Sequence, residues 1–291
     1  MRSIMPVLKY EQTTRKIAKL IEEGYGQGDG IAYRPFLDTI RVSSRGRVSR
    51  IKGFGGRVHH FLSDSETRLF YIYEFAGMQD IREHYPLLEG MEEIIPNLDE
   101  ELLKRLVNQK TGEPLILTTT FLITKKDENG ELSYFARSVK DYRQLENKQV
   151  IERYEIMKKY WEGKGVDYGI ITNKEIPLMV AKNIEFIHPY FHLEEYGIEE
   201  EMQGFLKNRL VDMIGNSETK KINEILSMFD NEFNIDQGTG IAIYKHLLSR
   251  KILSVDMNEA ISFKQSCNSV QILTKAEVGN SGSNYKYANP I

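Results

Sequence analysis

Two β-branched apolar runs flank a polar break, and this limits the fold more than any other feature of the chain. Leu115–Lys125 reads LILTTTFLITK, Lys126-Asp127-Glu128-Asn129-Gly130 follows, and Leu132–Lys140 reads LSYFARSVK. Asn-Gly between strand-forming runs is a strong hairpin signal. Asp80–Pro86 and Asp167–Thr172 read as further strands, and Arg57–Leu62 as a short one. Helices are predicted over Lys9–Gly24, from Asp64 to about Ala76, over Glu100–Asn108 and over Glu146–Gly163. The last carries Val150, Tyr154, Met157 and Trp161 at helical spacing. Such a succession describes a compact mixed α/β domain up to about residue 173.

The pattern then turns helical. Pro177–Ile187 is predicted helical, and His188-Pro189 ends it. Met202, Phe205, Leu206, Leu210 and Met213 mark a second helix; Ile222, Ile225, Leu226 and Phe229 mark a third. Gly238-Thr239-Gly240 opens a fourth, expected to point Ile241, Tyr244, Leu247 and Leu248 inward and Lys245, His246, Ser249 and Arg250 outward. With a strand expected over Ile252–Met257, residues 174–266 read as a small helix-turn-helix or winged-helix module. Met202, Met213 and Met228 fall at core spacing and need no cofactor. Residues 267–291 are expected to form a flexible tail that can order on a partner.

One cysteine, Cys267, in 291 residues excludes a disulfide framework and a multi-cysteine zinc ribbon. No apolar run approaches the ~18 residues that cross a bilayer, so a cytoplasmic protein without a membrane partner is expected. Net charge is −3, yet positive charge is concentrated. Arg41, Arg45, Arg47, Arg50, Lys52 and Arg57 stand between Phe36 and His59 against the single acid Asp38, on a glycine-broken segment. Such a segment can follow a DNA phosphate backbone and release counterions; the alternative is a solvated basic loop. Lys245, His246, Arg250 and Lys251 can touch phosphates as a recognition helix would, although the acidic runs Glu194-Glu195 and Glu199-Glu200-Glu201 weigh against a DNA-facing surface there. His59 and His60, adjacent on a strand, point to opposite faces and cannot chelate together.

Ser63-Asp64-Ser65-Glu66 has the form of a capping box. Glu66 also shares a helix face with Leu69, Tyr73 and Ala76, and an inward carboxylate costs desolvation unless it meets a cation, a metal or donors. Lys140 ends a strand on the face of Tyr134, Ala136 and Ser138. A helix-borne acid, a β-hairpin and a lysine ending its second strand resemble the PD-(D/E)xK nuclease arrangement. There, acids hold Mg²⁺ against the scissile phosphate and the lysine orients water or stabilises developing charge.

A closer resemblance follows. Arg57-Val58-His59-His60-Phe61-Leu62-Ser63-Asp64-Ser65-Glu66, Phe70-Tyr71, Asp80-Ile81-Arg82-Glu83-His84-Tyr85-Pro86-Leu87, Ser138-Val139-Lys140, Tyr160-Trp161 and Thr172-Asn173-Lys174-Glu175-Ile176 resemble the TnsA family, endonucleases of heteromeric cut-and-paste transposons. The resemblance spans about residues 10 to 260. It implies a restriction-endonuclease-like mixed sheet flanked by helices, followed by a small, mostly α winged-helix-like domain. It further implies Mg²⁺- or Mn²⁺-dependent cutting of transposon 5′ ends. The implied partners are a DDE transposase (TnsB-like) acting on the 3′ ends and an AAA+ ATPase (TnsC-like) contacted by the carboxy-terminal region.

The match departs at the site. The family's second metal acid falls on Thr120, its usual Gln two before the lysine is Ser138, and Met157 stands where an acid is expected. The implied catalytic pair is Glu66 and Lys140; Glu66, Ser138 and the Val139 backbone line the metal side, with Glu155 as the compensating acid. Thr118, Thr120, Leu122 and Thr124 are expected to share one strand face. Two readings follow: an active metal-dependent endonuclease, or a nuclease-fold subunit that has lost cleavage, binds DNA and assembles the transposase and ATPase.

Overall fold

The computed structural model describes residues 7–8, 13–43, 46–95, 104–108, 112–113 and 115–273. The chain divides between Ile176 and Pro177 into two compact units. In chain order the first holds β1 (Val7–Leu8), α1 (Thr14–Glu22), β2 (Val42–Ser43), β3 (Ser49–Lys52), β4 (Val58–Phe61) and α2 (Asp64–Phe75). Then come β5 (Asp80–Pro86), α3 (Met91–Ile94), β6 (Thr118–Lys126), β7 (Leu132–Lys140), α4 (Lys148–Gly163) and β8 (Asp167–Thr172). Of the helix expected over Glu100–Asn108, the described part is a single 3₁₀ turn, Lys104–Leu106.

Four strands form a mixed sheet in the order β5-β6-β7-β8. β5/β6 and β6/β7 pair antiparallel, while β7 and β8 run parallel across the α4 crossover. The predicted hairpin turn is held by Asp127, whose Oδ1 accepts the Asn129 and Glu131 amides at 2.9 and 2.8 Å, with Gly130 at φ 87°. Both sheet faces are covered. Val150, Tyr154, Met157 and Trp161 of α4 pack with Leu122 and Ala136 on one side. On the other, the Tyr73 ring of α2 meets Phe121 and Phe135 edge-on at 5.8 and 6.0 Å.

The expected strand alternation breaks at Thr120. Leu122 belongs to the α4 side, but so do Leu117 and Thr119, whose hydroxyl accepts the Trp161 indole N–H at 2.7 Å. The ladder skips Thr120 toward β5, passing from Glu83↔Phe121 to Tyr85↔Thr119, and toward β7 it ends at Phe121↔Arg137. Opposite, His84 takes a left-handed backbone, φ 51°. Thr119 and Leu122, of opposite parity, thus meet the same side, so Thr118, Thr120 and Leu122 do not all share a face; the break lies in β6 itself, at Thr120, where both ladders are interrupted.

β1/β2 and β3/β4 are separate antiparallel pairs. β3 lies within the stretch expected to be a basic loop. Its link to β4 turns at Gly53–Gly56, where a Cβ on Gly53 would meet Glu74 Oε1 at 2.6 Å and His59 Nε2 at 2.9 Å. Glu74 Oε1 also accepts the Phe54 amide at 2.7 Å, tying the hairpin to α2.

The second unit contains α5 (Leu178–Ile187), α6 (Glu200–Gly215), α7 (Ile222–Glu232) and α8 (Thr239–Ser249), with β9 (Leu253–Ser254) antiparallel to β10 (Gln271–Ile272). The first part of the expected tail is structured, since Cys267–Ser269 forms a 3₁₀ turn and β10 is paired; residues 274–291 lie outside the described residues. Buried Asp230 of α7 caps α8 from outside, its carboxylate accepting the Gly238 and Gly240 amides at 2.7 and 2.6 Å. α8 is buried nearly all round. Lys245, His246 and Ser249, expected outward, are inside. Lys245 Nζ stands 3.6 Å over Phe186 and 4.4 Å over Tyr190, a cation–π pairing that makes burial of the charge tolerable. Burial also pushes the His246 pKa down to about 4 and that of Lys251 to about 8. Conversely, Met202, Phe205 and Met228 are 42, 50 and 43 % exposed, because α6 and α7 turn Leu206, Leu210, Ile214 and Phe229 to the core instead.

Candidate active site

The first turn of α2 sets the position of Glu66. Ser63 is the N-cap, its hydroxyl accepting the Glu66 amide at 3.3 Å. The reciprocal arm differs from a capping box: Glu66 Oε2 accepts the amide of Leu62, one residue before the cap, at 2.7 Å. The carboxylate is thereby buried and held by one oxygen. Lys140, at the end of β7, is partly buried. Burial pushes its pKa down, the Glu66 charge pushes it back up, and Arg153 adds to the lowering. Tyr154 of α4, its pKa raised first by burial, also feels Glu66. The helix-borne acid and the strand-terminal ammonium therefore share one electrostatic field.

Thr120 lies where the ladders part. Its Oγ1 accepts the Val139 amide at 3.0 Å, so the hydroxyl is committed to the backbone beside Lys140. Ser138 is buried and accepts the Tyr168 hydroxyl at 2.9 Å. Met157 is fully buried in the α4 core, an apolar environment that excludes an unpaired acid. Glu155 is corrected: its side chain is half exposed and paired with Lys159 at 3.5 Å, a surface ion pair one turn along the same helix. Among the described residues no group of three or more His, Cys, Asp and Glu is placed to hold a metal ion.

A buried network was not anticipated. Arg57 grips Glu83 with two parallel bonds, Nη1 to Oε1 at 2.9 Å and Nη2 to Oε2 at 2.8 Å, and Nη2 also donates to Ile81 O at 2.6 Å. With both Nη2 protons so used, His59 Nδ1 keeps its proton and donates to Glu83 Oε2 at 3.0 Å. Burial alone would raise the Glu83 pKa; the His59 bond and the charges of His59 and Arg57 outweigh it and hold it at about 2. The next residue, His84, is buried, with Nε2 donating to His60 O at 3.0 Å and standing 3.7 Å from Glu66 Oε2. The available signal was three charged or ionisable residues in succession, Arg82-Glu83-His84, inside a strand of a sheet covered on both faces.

The six candidate phosphate-binding cations divide. Arg57 is consumed by Glu83, and Arg41 is bound to Asp38 at 2.8 Å and stacked 3.6 Å over Tyr25, so both serve the fold. Arg45 lies outside the described residues. Arg47, Arg50 and Lys52 are exposed, the last two on one face of β3 opposite His60 and Val58. Among Lys245, His246, Arg250 and Lys251, the first two are internal, and the Arg250 guanidinium lies 4.3 Å over Phe191.

Comparison with known proteins gives two adjoining matches. Residues 78–173 match the family model for the TnsA-like endonuclease N terminal domain, and residues 175–257 match that for TnsA endonuclease C terminal. Thr120, Ser138 and Lys140 lie inside the first match; Glu66 precedes it. The chain is also 37% identical over 175 residues to the Transposon Tn7 transposition protein TnsA of Escherichia coli, covering 60% of this chain and 62% of that relative. The two adjoining matches in their order and this identity place the chain in the TnsA family.

Proposed function

We propose that this chain is a divalent-metal-dependent DNA endonuclease that cuts transposon 5′ ends, with Glu66 and Lys140 at the scissile phosphate. The observation that carries the reading is the buried Glu66 carboxylate, held through Oε2 on the Leu62 amide at 2.7 Å in the first turn of α2; its charge raises the Lys140 pKa against the lowering by burial. Mg²⁺ or Mn²⁺ is commonly held by one or two carboxylates plus substrate phosphate. Glu66 anchors Oε2 on Leu62 and, among the described residues, has no donor on Oε1, so the donor set fits at the one-carboxylate limit. When bound, such an ion neutralises charge developing on the phosphoryl oxygens. Lys140 supplies a fixed positive charge at the same phosphate. The partners proposed from kinship are transposon-end DNA, a TnsB-like DDE transposase and a TnsC-like AAA+ ATPase, the last through the carboxy-terminal unit. No described helix is long and apolar enough to cross a membrane, and the proposed location is the cytoplasm.

One observation favours the second reading, a cleavage-deficient subunit that binds DNA and assembles the complex. Thr120 carries no charge and spends its hydroxyl on Val139, while Glu155 faces elsewhere. The two readings separate in a 5′-strand cleavage assay with the cognate transposase and transposon ends. Endonuclease function expects 5′ cleavage by the wild type, and Thr120→Asp, which restores a carboxylate beside Val139, raises it about tenfold at limiting Mg²⁺. Uncut 5′ ends and cointegrate products from the wild type would decide for the second reading.

The exposed face of β3 is the proposed phosphate track, held against α2 by the Glu74 contact. Arg47→Glu with Arg50→Glu weakens DNA association and lowers the slope of log K against log salt by roughly 0.9 for each phosphate no longer neutralised. An unchanged slope would return the strand to a solvated surface.

A further inference from the structure

The geometry points to His84 as a positioning residue that braces the anchor of Glu66. Three observations converge on it. Its backbone is left-handed, φ 51°, in the middle of β5, a conformation that L side chains seldom adopt and that interrupts the ladder. Its imidazole is buried and donates from Nε2 to His60 O at 3.0 Å. The same Nε2 stands 3.7 Å from Glu66 Oε2, the oxygen that accepts the Leu62 amide.

The backbone conformation explains the placement. In an extended strand Glu83 and His84 would face opposite sides of the sheet. Here both reach β4: Glu83 through Arg57 and His59, His84 through the His60 carbonyl. Tyr85 then emerges toward Trp161, with ring centroids 5.8 Å apart. The left-handed turn thus delivers a second side chain to the strand end that holds Glu66. Backbone outliers of this kind persist where the surroundings over-determine them, often at functional sites.

The brace acts through two backbone groups. His84 fixes the carbonyl of His60; two residues on, the amide of Leu62 fixes Glu66. With Oε2 held, Oε1 is the oxygen turned to a ligand. A partner that orients a metal ligand is worth 10- to 100-fold in metal affinity in known sites. This inference rests on the proposed metal role of Glu66, and its test separates the two.

The experiment compares wild type, His84→Leu, His84→Gln and Glu66→Ala in the full-length protein. Amide hydrogen exchange at Leu62 is read without metal, and Mn²⁺ affinity by calorimetry. His84→Leu is expected to speed Leu62 exchange at least tenfold and weaken Mn²⁺ binding about tenfold. His84→Gln, which keeps a side-chain N–H donor, is expected to restore most of both. Leu62 exchange unchanged in His84→Leu overturns the brace. Equal loss in His84→Leu and His84→Gln also overturns it, since imidazole volume rather than its N–H would then matter. If His84→Leu speeds exchange while Glu66→Ala leaves Mn²⁺ affinity intact, the brace stands and the metal role of Glu66 falls. Should His84→Leu fail to fold, His84→Asn, whose shorter amide falls short of the His60 carbonyl, takes its place with the same expectations.

Discussion

Arg57→Ala is expected to destabilise the amino-terminal unit by about 3–5 kcal/mol, since it strands the Glu83 carboxylate, fully buried, without its guanidinium. Surface ion pairs in the same unit, such as Lys158–Glu162 at 3.7 Å, are worth ~0–1 kcal/mol, so the loss is specific to the buried pair. Trp161, the chain's one tryptophan, lies in the α4 core and reports this unit's unfolding by fluorescence. The pH dependence has a definite sign. A carboxylate whose folded pKa is depressed contributes stability that is complete above its unfolded pKa and is lost as pH falls through the folded one. Glu83 is lowered from 4.5 to about 2, so its contribution is present at neutral pH and disappears between about pH 4.5 and 2. Denaturant midpoints should fall over that window in the wild type and much less in Glu83→Gln, which carries no titrating group there. Arg57→Ala within 1 kcal/mol of wild type at pH 7 would show that the network is not what joins β4 to β5.

Where local pattern and tertiary environment agree, the elements could be read from residues alone. β5, β7 and β8 have the bounds their apolar runs and turn residues predict, and α2 begins at its Ser63 cap. β3 was hidden because its outward residues, Arg50 and Lys52, are charged and its ends are glycine-rich, which imitates a loop. The all-round burial of α8 was hidden too, since only the tertiary rings of Phe186 and Tyr190 make an inward Lys245 tolerable. At the candidate site, the position of Glu66 in the first turn of a helix and of Lys140 at a strand end was legible from the Ser63 cap and the apolar run before Lys140. The environment of Thr120 was not: strand parity predicts its face only while the ladder is continuous, and both pairings of β6 are interrupted at Thr120, whose hydroxyl takes the Val139 amide instead. Glu155 was misplaced for a related reason, because a position adjacent to a buried helical stripe can still turn its charge to water and pair with Lys159.

Loss of the Glu66 charge is expected to reduce 5′-strand cleavage about 10³-fold, the scale on which removal of an essential electrostatic group acts. Two substitutions separate charge from architecture. Glu66→Gln keeps the volume and an oxygen able to accept the Leu62 amide, so the α2 entry should stay intact with a thermal midpoint close to wild type. Glu66→Ala removes that acceptor as well and should cost a further ~1 kcal/mol of stability, as loss of a cap-type hydrogen bond does. Both should be equally deficient in cutting, because a neutral amide neither holds a divalent ion nor offsets the Lys140 ammonium. An inactive Glu66→Gln that melts like the wild type therefore assigns the defect to chemistry. A Glu66→Gln that still cuts at the wild-type rate would make the residue a helix cap and nothing more, and the nuclease reading would lose the one carboxylate it has.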